Sequence, residues 1–462
     1  MSVMKNIYSI LKVAVVSGIA LLLSSCAKHD EIKYVPSDSF VVMKVAQNAL
    51  FDKSGFVGND RIKNLIDDDE DEAALLKEFV DNPENAGIDT GKPLVLAVNE
   101  DGVCLVEPVK DAKAVNEFLT RFGADSDVSA DVSKGVLYEY DLGSGSAGLL
   151  TKDALIFAFG EFDPDKVKQL LTDEGRIDAP GYKEFLSSAS DLAAWADYTK
   201  LIKKFDTENE IPFNLGSSSV ISESDFLAGE VRSNMKLYWD KFDFSVFKKG
   251  SDKFFKYIPE DAFIVGKCDF GSVKNLIDAL PSSISSLINS LLVMAQFDSS
   301  ILKKTGGNIT VAYIPENNGF VLAFDCSKEL VDEYAPELDF EEVDDNVYAL
   351  GDELLAVYEN GGLVLLSPEI YDAARSGSFA SFKGNRLAGK FGAGIAVDFR
   401  NAFILDLLKS ESGIDLGIFD YAVGELKGAS STGSLFFTDT RENSAKQLLD
   451  FFLDIVEKGD IL

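Results

Sequence analysis

The sequence is short of most of what catalytic centres are built from. It holds one histidine, His29, in 462 residues. Imidazole-based triads and Cys-His pairs therefore have nothing to draw on in any fold that leaves His29 outside its core. None of Cys104, Cys268 and Cys326 belongs to a CxxC pair or has a histidine nearby, so zinc-ligand spacing is absent. Cations are scarce as well: 44 Lys+Arg stand against 77 Asp+Glu, a net charge of −33. Nucleic acid needs a clustered basic surface, so it is excluded as a partner. Electrostatic docking on anionic lipid fails for the same reason. Two tryptophans are a thin supply of stacking platforms for sugars.

What the chain does have begins with a targeting pattern. Lys5 and Lys12 give a basic start, and residues 13–23 (VAVVSGIALLL) form an apolar run of 11 residues. A membrane span needs roughly 20. Small residues and a cysteine follow, Leu23-Ser24-Ser25-Cys26. A basic start, a short apolar core and a small-residue cleavage site describe a secretory signal peptide. The Leu-Ser-Ser-Cys ending resembles the bacterial lipobox, in which the cysteine is acylated and becomes the mature N-terminus. Lipidation is therefore expected at Cys26, with residues 1–25 as signal peptide and 26–32 as tether. Removing 1–25 takes two lysines and no acid, so the net charge moves from −33 to −35. Asp30 and Glu31, just behind the cysteine, resemble the acidic signals that send some lipoproteins to the cell surface.

A second pattern is internal repetition. KYVPSDSFVVMK (33–44) returns as KYIPEDAFIVGK (256–267), identical at seven of twelve positions at an offset of 223. Further matches follow in the same order. LVLAVNEDGVCLVEP (94–108) corresponds to ITVAYIPENNGFVLAFD (309–325), LIFAFGEFDPDKVKQLL (155–171) to LVLLSPEIYDAAR (363–375), and Ala196-Asp197-Tyr198 to Val397-Asp398-Phe399. We expect two tandem diverged copies of one domain, over 33–250 and 251–462. Hydrophobic residues at 46% supply a core for domains of this size.

Local signals set the fold class. Asp111 precedes a helical stripe of Val115, Phe118, Leu119 and Phe122, closed by Gly123. Asp163-Pro164 and Ser327 start further helices. Asp439 with Glu442 reads as a capping box before Leu448, Leu449, Phe452, Ile455 and Val456. Between the helices lie short β-rich runs joined by tight turns such as Asn99-Glu100-Asp101-Gly102, and strands this close pair antiparallel. Pro36 and Pro259 are expected to open strands. The expected class is α+β, each copy a mainly antiparallel sheet with helices on one face.

Three patterns invite chemistry. Gly143-Ser144-Gly145-Ser146-Ala147-Gly148 spells GxGxxG, but a hairpin rather than a helix follows, which makes it a surface turn. Asp67, Asp69, Asp71 and Glu78 fall at positions 1, 3, 5 and 12 of a calcium loop, yet Glu72 stands where the sharp turn needs glycine. The same acids suit the N-terminus of the following helix. Cys104, Cys268 and Cys326 lie in apolar strand-like runs and read as buried thiols, with one disulfide as the alternative.

The lipobox, the acidic tether and the opening Tyr34-Val35-Pro36-Ser37-Asp38-Ser39-Phe40-Val41 together resemble a family of bacterial lipoproteins, domain of unknown function 4836. The resemblance extends over the mature chain in size and layout and brings no catalytic residues with it. The expectation is a lipid-anchored lipoprotein of the cell envelope, on the outer membrane and facing the periplasm or the surface. It binds or scaffolds and is not an enzyme. Its membrane partner is reached through acyl chains on Cys26, any further partner is a protein or glycan, and no cofactor is called for. The competing readings are an envelope hydrolase with paired Asp/Glu carboxylates and an acidic cation-binding surface protein.

Overall fold

The computed structural model describes residues 30–66, 73–124, 126–128, 135–143, 146–160, 177–205, 216–280, 285–286, 305–315, 319–412 and 415–458. Cys26, His29, Asp67, Asp69, Asp71 and the helix expected after Asp163-Pro164 lie outside them. The chain forms two compact units, one of residues 1–208, 218–233 and 441–462, the other of 209–217 and 234–440.

The first unit carries strands β1 (Val41–Val45), β2 (Leu94–Val98), β3 (Gly102–Pro108), β4 (Ser126–Val128), β5 (Val136–Gly143), β6 (Ser146–Thr151), β7 (Ala154–Gly160), β8 (Leu192–Asp197) and β9 (Ser218–Leu227). They pair antiparallel in the order β9-β8-β1-β2-β3-β7-β6-β5-β4. Its helices are α1 (Gln47–Ser54), α2 (Asp60–Leu65), α3 (Ala73–Asp81), α4 (Ala112–Arg121), α5 (Tyr182–Leu186) and α6 (Tyr198–Phe205). Asp111 caps α4, accepting from the Lys113 and Ala114 amides. Side chains alternate across the strands, so Val42, Lys44 and Trp195 share one face and Leu192 lies on the other. Trp195 is fully buried, its indole N–H donating to the Pro180 carbonyl at 3.0 Å.

The second unit carries β10 (Glu230–Trp239) from residue 234 onward, then β11 (Ile264–Ser272), β12 (Thr305–Ile314), β13 (Gly319–Cys326), β14 (Glu341–Asp344), β15 (Val347–Leu350), β16 (Leu354–Glu359), β17 (Gly362–Leu366), β18 (Ala393–Asp398), β19 (Phe419–Lys427) and β20 (Ser430–Phe437). The antiparallel order is β20-β19-β18-β11-β12-β13-β17-β16-β15-β14. Its helices are α7 (Val273–Ala279), α8 (Lys328–Tyr334), α9 (Pro368–Ser376) and α10 (Ala402–Ser412). Ser327 caps α8, and Ser367 caps α9 with Pro368 at its first position.

The α+β class and the antiparallel pairing stand. Helices on one face do not. In the second unit Val364 and Leu366 of β17 pack with Ile370 of α9, while Leu363 and Leu365 of the same strand pack with Leu330 and Val331 of α8. The β17 run GLVLL is apolar at both parities, as a strand covered on both faces must be. The limits also differ from 33–250 and 251–462. The last helix, α11 (Ser444–Lys458), belongs to the first unit, where Ala445, Leu449 and Leu453 meet Leu50 and Phe51 of α1 and Phe226 of β9.

Two local expectations are corrected too. The cap of α11 is Asn443, whose side chain accepts from the Ala445 amide at 2.9 Å, and Glu442 pairs instead with Lys446. Of the expected stripe, Leu449 and Ile455 are buried, with Ala445 and Leu453 beside them, while Phe452 is 47% exposed. Pro36 and Pro259 do not open strands. Each accepts a turn hydrogen bond, from the Ser39 and Ala262 amides at 3.1 and 3.2 Å, and the strands start five residues on.

Candidate functional site

The repeated opening places a lysine inside each sheet. Lys44 ends Val42-Met43-Lys44 with the inward parity of Val42 and is 5% exposed. Its ammonium donates to the Leu186 and Ser188 carbonyls at 2.9 and 3.1 Å and lies 5.0 Å from the Phe185 ring centroid. Lys267 ends the second copy of the motif and is 3% exposed. It lies between the Phe255 and Phe391 rings, at 5.0 and 5.1 Å, and pairs with Asp252. Both cations are held inside the fold by these partners.

A second buried polar pair escaped sequence reading. Gln47, at the start of α1, donates to Glu107 of β3 at 2.6 Å. Glu107 is half-buried. Desolvation raises its pKa to about 8, with a smaller push from Asp89 and an opposing pull from Gln47.

A cleft of about 530 Å³ lies in the second unit. That volume falls within the range of small-molecule sites. The Glu260-Asp261 turn forms one wall, held by the Glu260 amide on the Ala380 carbonyl and by Asn385 and Asn401, which donate to the Glu260 and Asp261 carbonyls. The other wall is the end of β18, where Arg400 grips Asp398 through Nε at 3.0 Å and Nη2 at 2.6 Å and reaches Asp420 at 3.5 Å. The Asp398 hydrogen bonds hold Arg400 firmly cationic. Phe379 and Ala402 supply apolar lining. Asp261 and Asp398 are the acids that the repeat aligns with Asp38 and Asp197. In the first unit the equivalent turn is held by similar bonds: Asn99 donates to Asp38 at 3.0 Å, and the Lys200 ammonium donates to the Asp38 carbonyl at 3.2 Å, as Asn401 does to the Asp261 carbonyl.

The other sequence candidates are not assembled into sites. Gly143 and Ser146 are register partners in the β5–β6 hairpin, so no helix follows the glycines to receive a pyrophosphate. Glu78 of α3 pairs with Arg121 at 3.3 Å, while its proposed calcium-loop companions lie outside the described residues. No group of three His, Cys, Asp or Glu placed to hold a metal occurs among the described residues. Cys104, Cys268 and Cys326 are free thiols. No helix among the described residues is long and apolar enough to cross a membrane.

No family model matches the chain, and no curated protein is similar to it. Two solved structures share a partial likeness. Crystal form IV of TP0453 is 14% identical, covering 45% of this chain and 80% of that one, with a TM-score of 0.31. Crystal form I of TP0453 is also 14% identical, covering 46% and 80%, with a TM-score of 0.29. Likeness at this level transfers neither fold nor function.

Proposed function

We propose that the chain is a lipid-anchored lipoprotein of the cell envelope with a binding or scaffolding role, built from two diverged copies of one α+β domain. The observation that carries the anchor is the run at 13–23 followed by Leu23-Ser24-Ser25-Cys26. Radiolabelled palmitate should enter the wild-type chain and be lost on Cys26→Ala, and incorporation that survives the substitution refutes the anchor.

The duplication draws support from strand order. β9-β8-β1-β2-β3-β7 in the first unit has the order of β19-β18-β11-β12-β13-β17 in the second, and both openings carry the same turn and the same inward lysine. A binding role draws support from the cleft of about 530 Å³ beside Glu260 and Asp261. Hydrolysis by paired carboxylates fits less well, because Arg400 occupies both oxygens of Asp398. A polar ligand of this cleft should raise the melting temperature of the wild-type protein and fail to raise that of Asp261→Asn.

A further inference from the structure

We propose that one end of the first unit's sheet rests against the bilayer: the corner made by the single 3₁₀ turn Asp30–Tyr34, the end of β3 at Pro108 and residues 151–154. The inference rests on acylation of Cys26 and adds an orientation to it.

Four peptide steps separate Cys26 from Asp30, at most about 14 Å when fully extended. From Asp30 onward the backbone is fastened down. Ile32 is 7% exposed, Tyr34 6% and Val35 0%. The Lys33 ammonium lies 2.7 Å from an Asp153 oxygen, and the Tyr34 hydroxyl donates to the other at 2.8 Å. The Asp153 carbonyl in turn accepts from the Val109 amide at 3.0 Å, tying the β6–β7 turn to the end of β3. At most four peptide steps lie between an acylated cysteine and this turn, so its start stays within about 14 Å of the lipid. The opposite end of β3, where Gly102 pairs with Gly160, is about 20 Å further along a strand that rises about 3.4 Å per residue.

At this corner Lys33 and Lys110 are held in ion pairs with Asp153 and Glu84 at 2.7 and 2.9 Å. A partner of this protein meets it close to the membrane surface, because the tether is too short to carry the fold away from it.

The test uses the full acylated chain in phosphatidylcholine vesicles containing a headgroup-labelled acceptor lipid. One donor dye is placed on Lys152→Cys and, separately, on Glu100→Cys, both exposed positions at opposite ends of the sheet. Burial raises the Cys104 and Cys326 thiols to about 12 and about 11, so they compete poorly for label, and Cys268→Ser removes the more accessible thiol. Energy transfer to the lipid should be at least twofold stronger from position 152. Equal transfer, or stronger transfer from position 100, overturns the orientation while leaving the anchor intact. Failure of the labelled chain with intact Cys26 to bind vesicles overturns the anchor, and the orientation with it.

Discussion

Lys267 offers the sharpest test of how this fold carries charge inside a sheet. Its side chain has 0% exposure, whereas its partner Asp252 is 45% exposed. Asp252→Ala would leave an ammonium enclosed by two aromatic rings and no carboxylate. Stripping one partner from a buried pair costs about 3–5 kcal/mol. Water can reach the Asp252 position, and the Phe255 and Phe391 faces keep about 2 kcal/mol of cation–π attraction, so we expect about 2 kcal/mol. For a unit of this size that lowers the melting temperature by about 4–8 °C. Lys267→Met removes the charge and its desolvation together, keeps most of the volume, and should cost less than about 1 kcal/mol. Lys44 should behave differently. Its acceptors are the Leu186 and Ser188 carbonyls, so Lys44→Met strands two backbone groups at about 1–3 kcal/mol each at most. Urea denaturation followed by near-ultraviolet circular dichroism gives all three values. Lys267→Met costing as much as Asp252→Ala would refute the reasoning, because the ammonium would then be a net source of stability.

Three further outcomes follow from the same geometry. Arg61 of α2 reaches Asp450, Asp454 and Glu457 of α11 at 3.4, 2.5 and 2.9 Å. These groups are largely solvated, so Arg61→Ala should cost only about 1 kcal/mol, shrink further in high salt, and speed amide exchange in α11. Glu107 has a folded pKa raised to about 8 from 4.5, so the native state binds the extra proton between those values. Stability should fall as pH rises through that window, by at most about 1.4 kcal/mol per pH unit, and Glu107→Gln should flatten the slope. A slope that survives the substitution assigns the effect elsewhere. Finally, a thiol reagent should modify Cys268 well before Cys104, whose thiol is buried and pushed up to about 12, and reach all three on unfolding.

The hairpins and two of the caps were legible because their signals are local. Asp111 and Ser327 cap the helices they precede, and Gly102, at φ 149°, closes the β2–β3 turn in a backbone region that L side chains rarely adopt. Coverage of both sheet faces depends on which helix returns to which strand, and neighbouring residues do not encode it. The same limit hid the placement of α11. Its partners Leu50, Phe51 and Phe226 lie hundreds of residues upstream, and its apolar stripe reports only that something covers it. The cleft was hidden for another reason. Its walls come from residues 260–261, 379–385 and 398–402, polar segments that read individually as turns.

The buried lysines join these two kinds of information. Strand alternation in Val42-Met43-Lys44 and Val265-Gly266-Lys267 puts each cation on the face of a buried valine, and the repetition says the arrangement occurs twice. A single inward lysine could be an accident of register. Two, at matched positions in sheets of the same strand order, mark a constraint on the strand itself. The partners, however, differ in kind: backbone carbonyls around Lys44, a carboxylate and two rings around Lys267. The position of the charge is the same in both sheets while its neutralisation differs. Exchange should therefore be one-directional in difficulty. A carboxylate can be removed from beside Lys267 by one substitution and restored by another, whereas the carbonyl cage of Lys44 yields only to a change of backbone path.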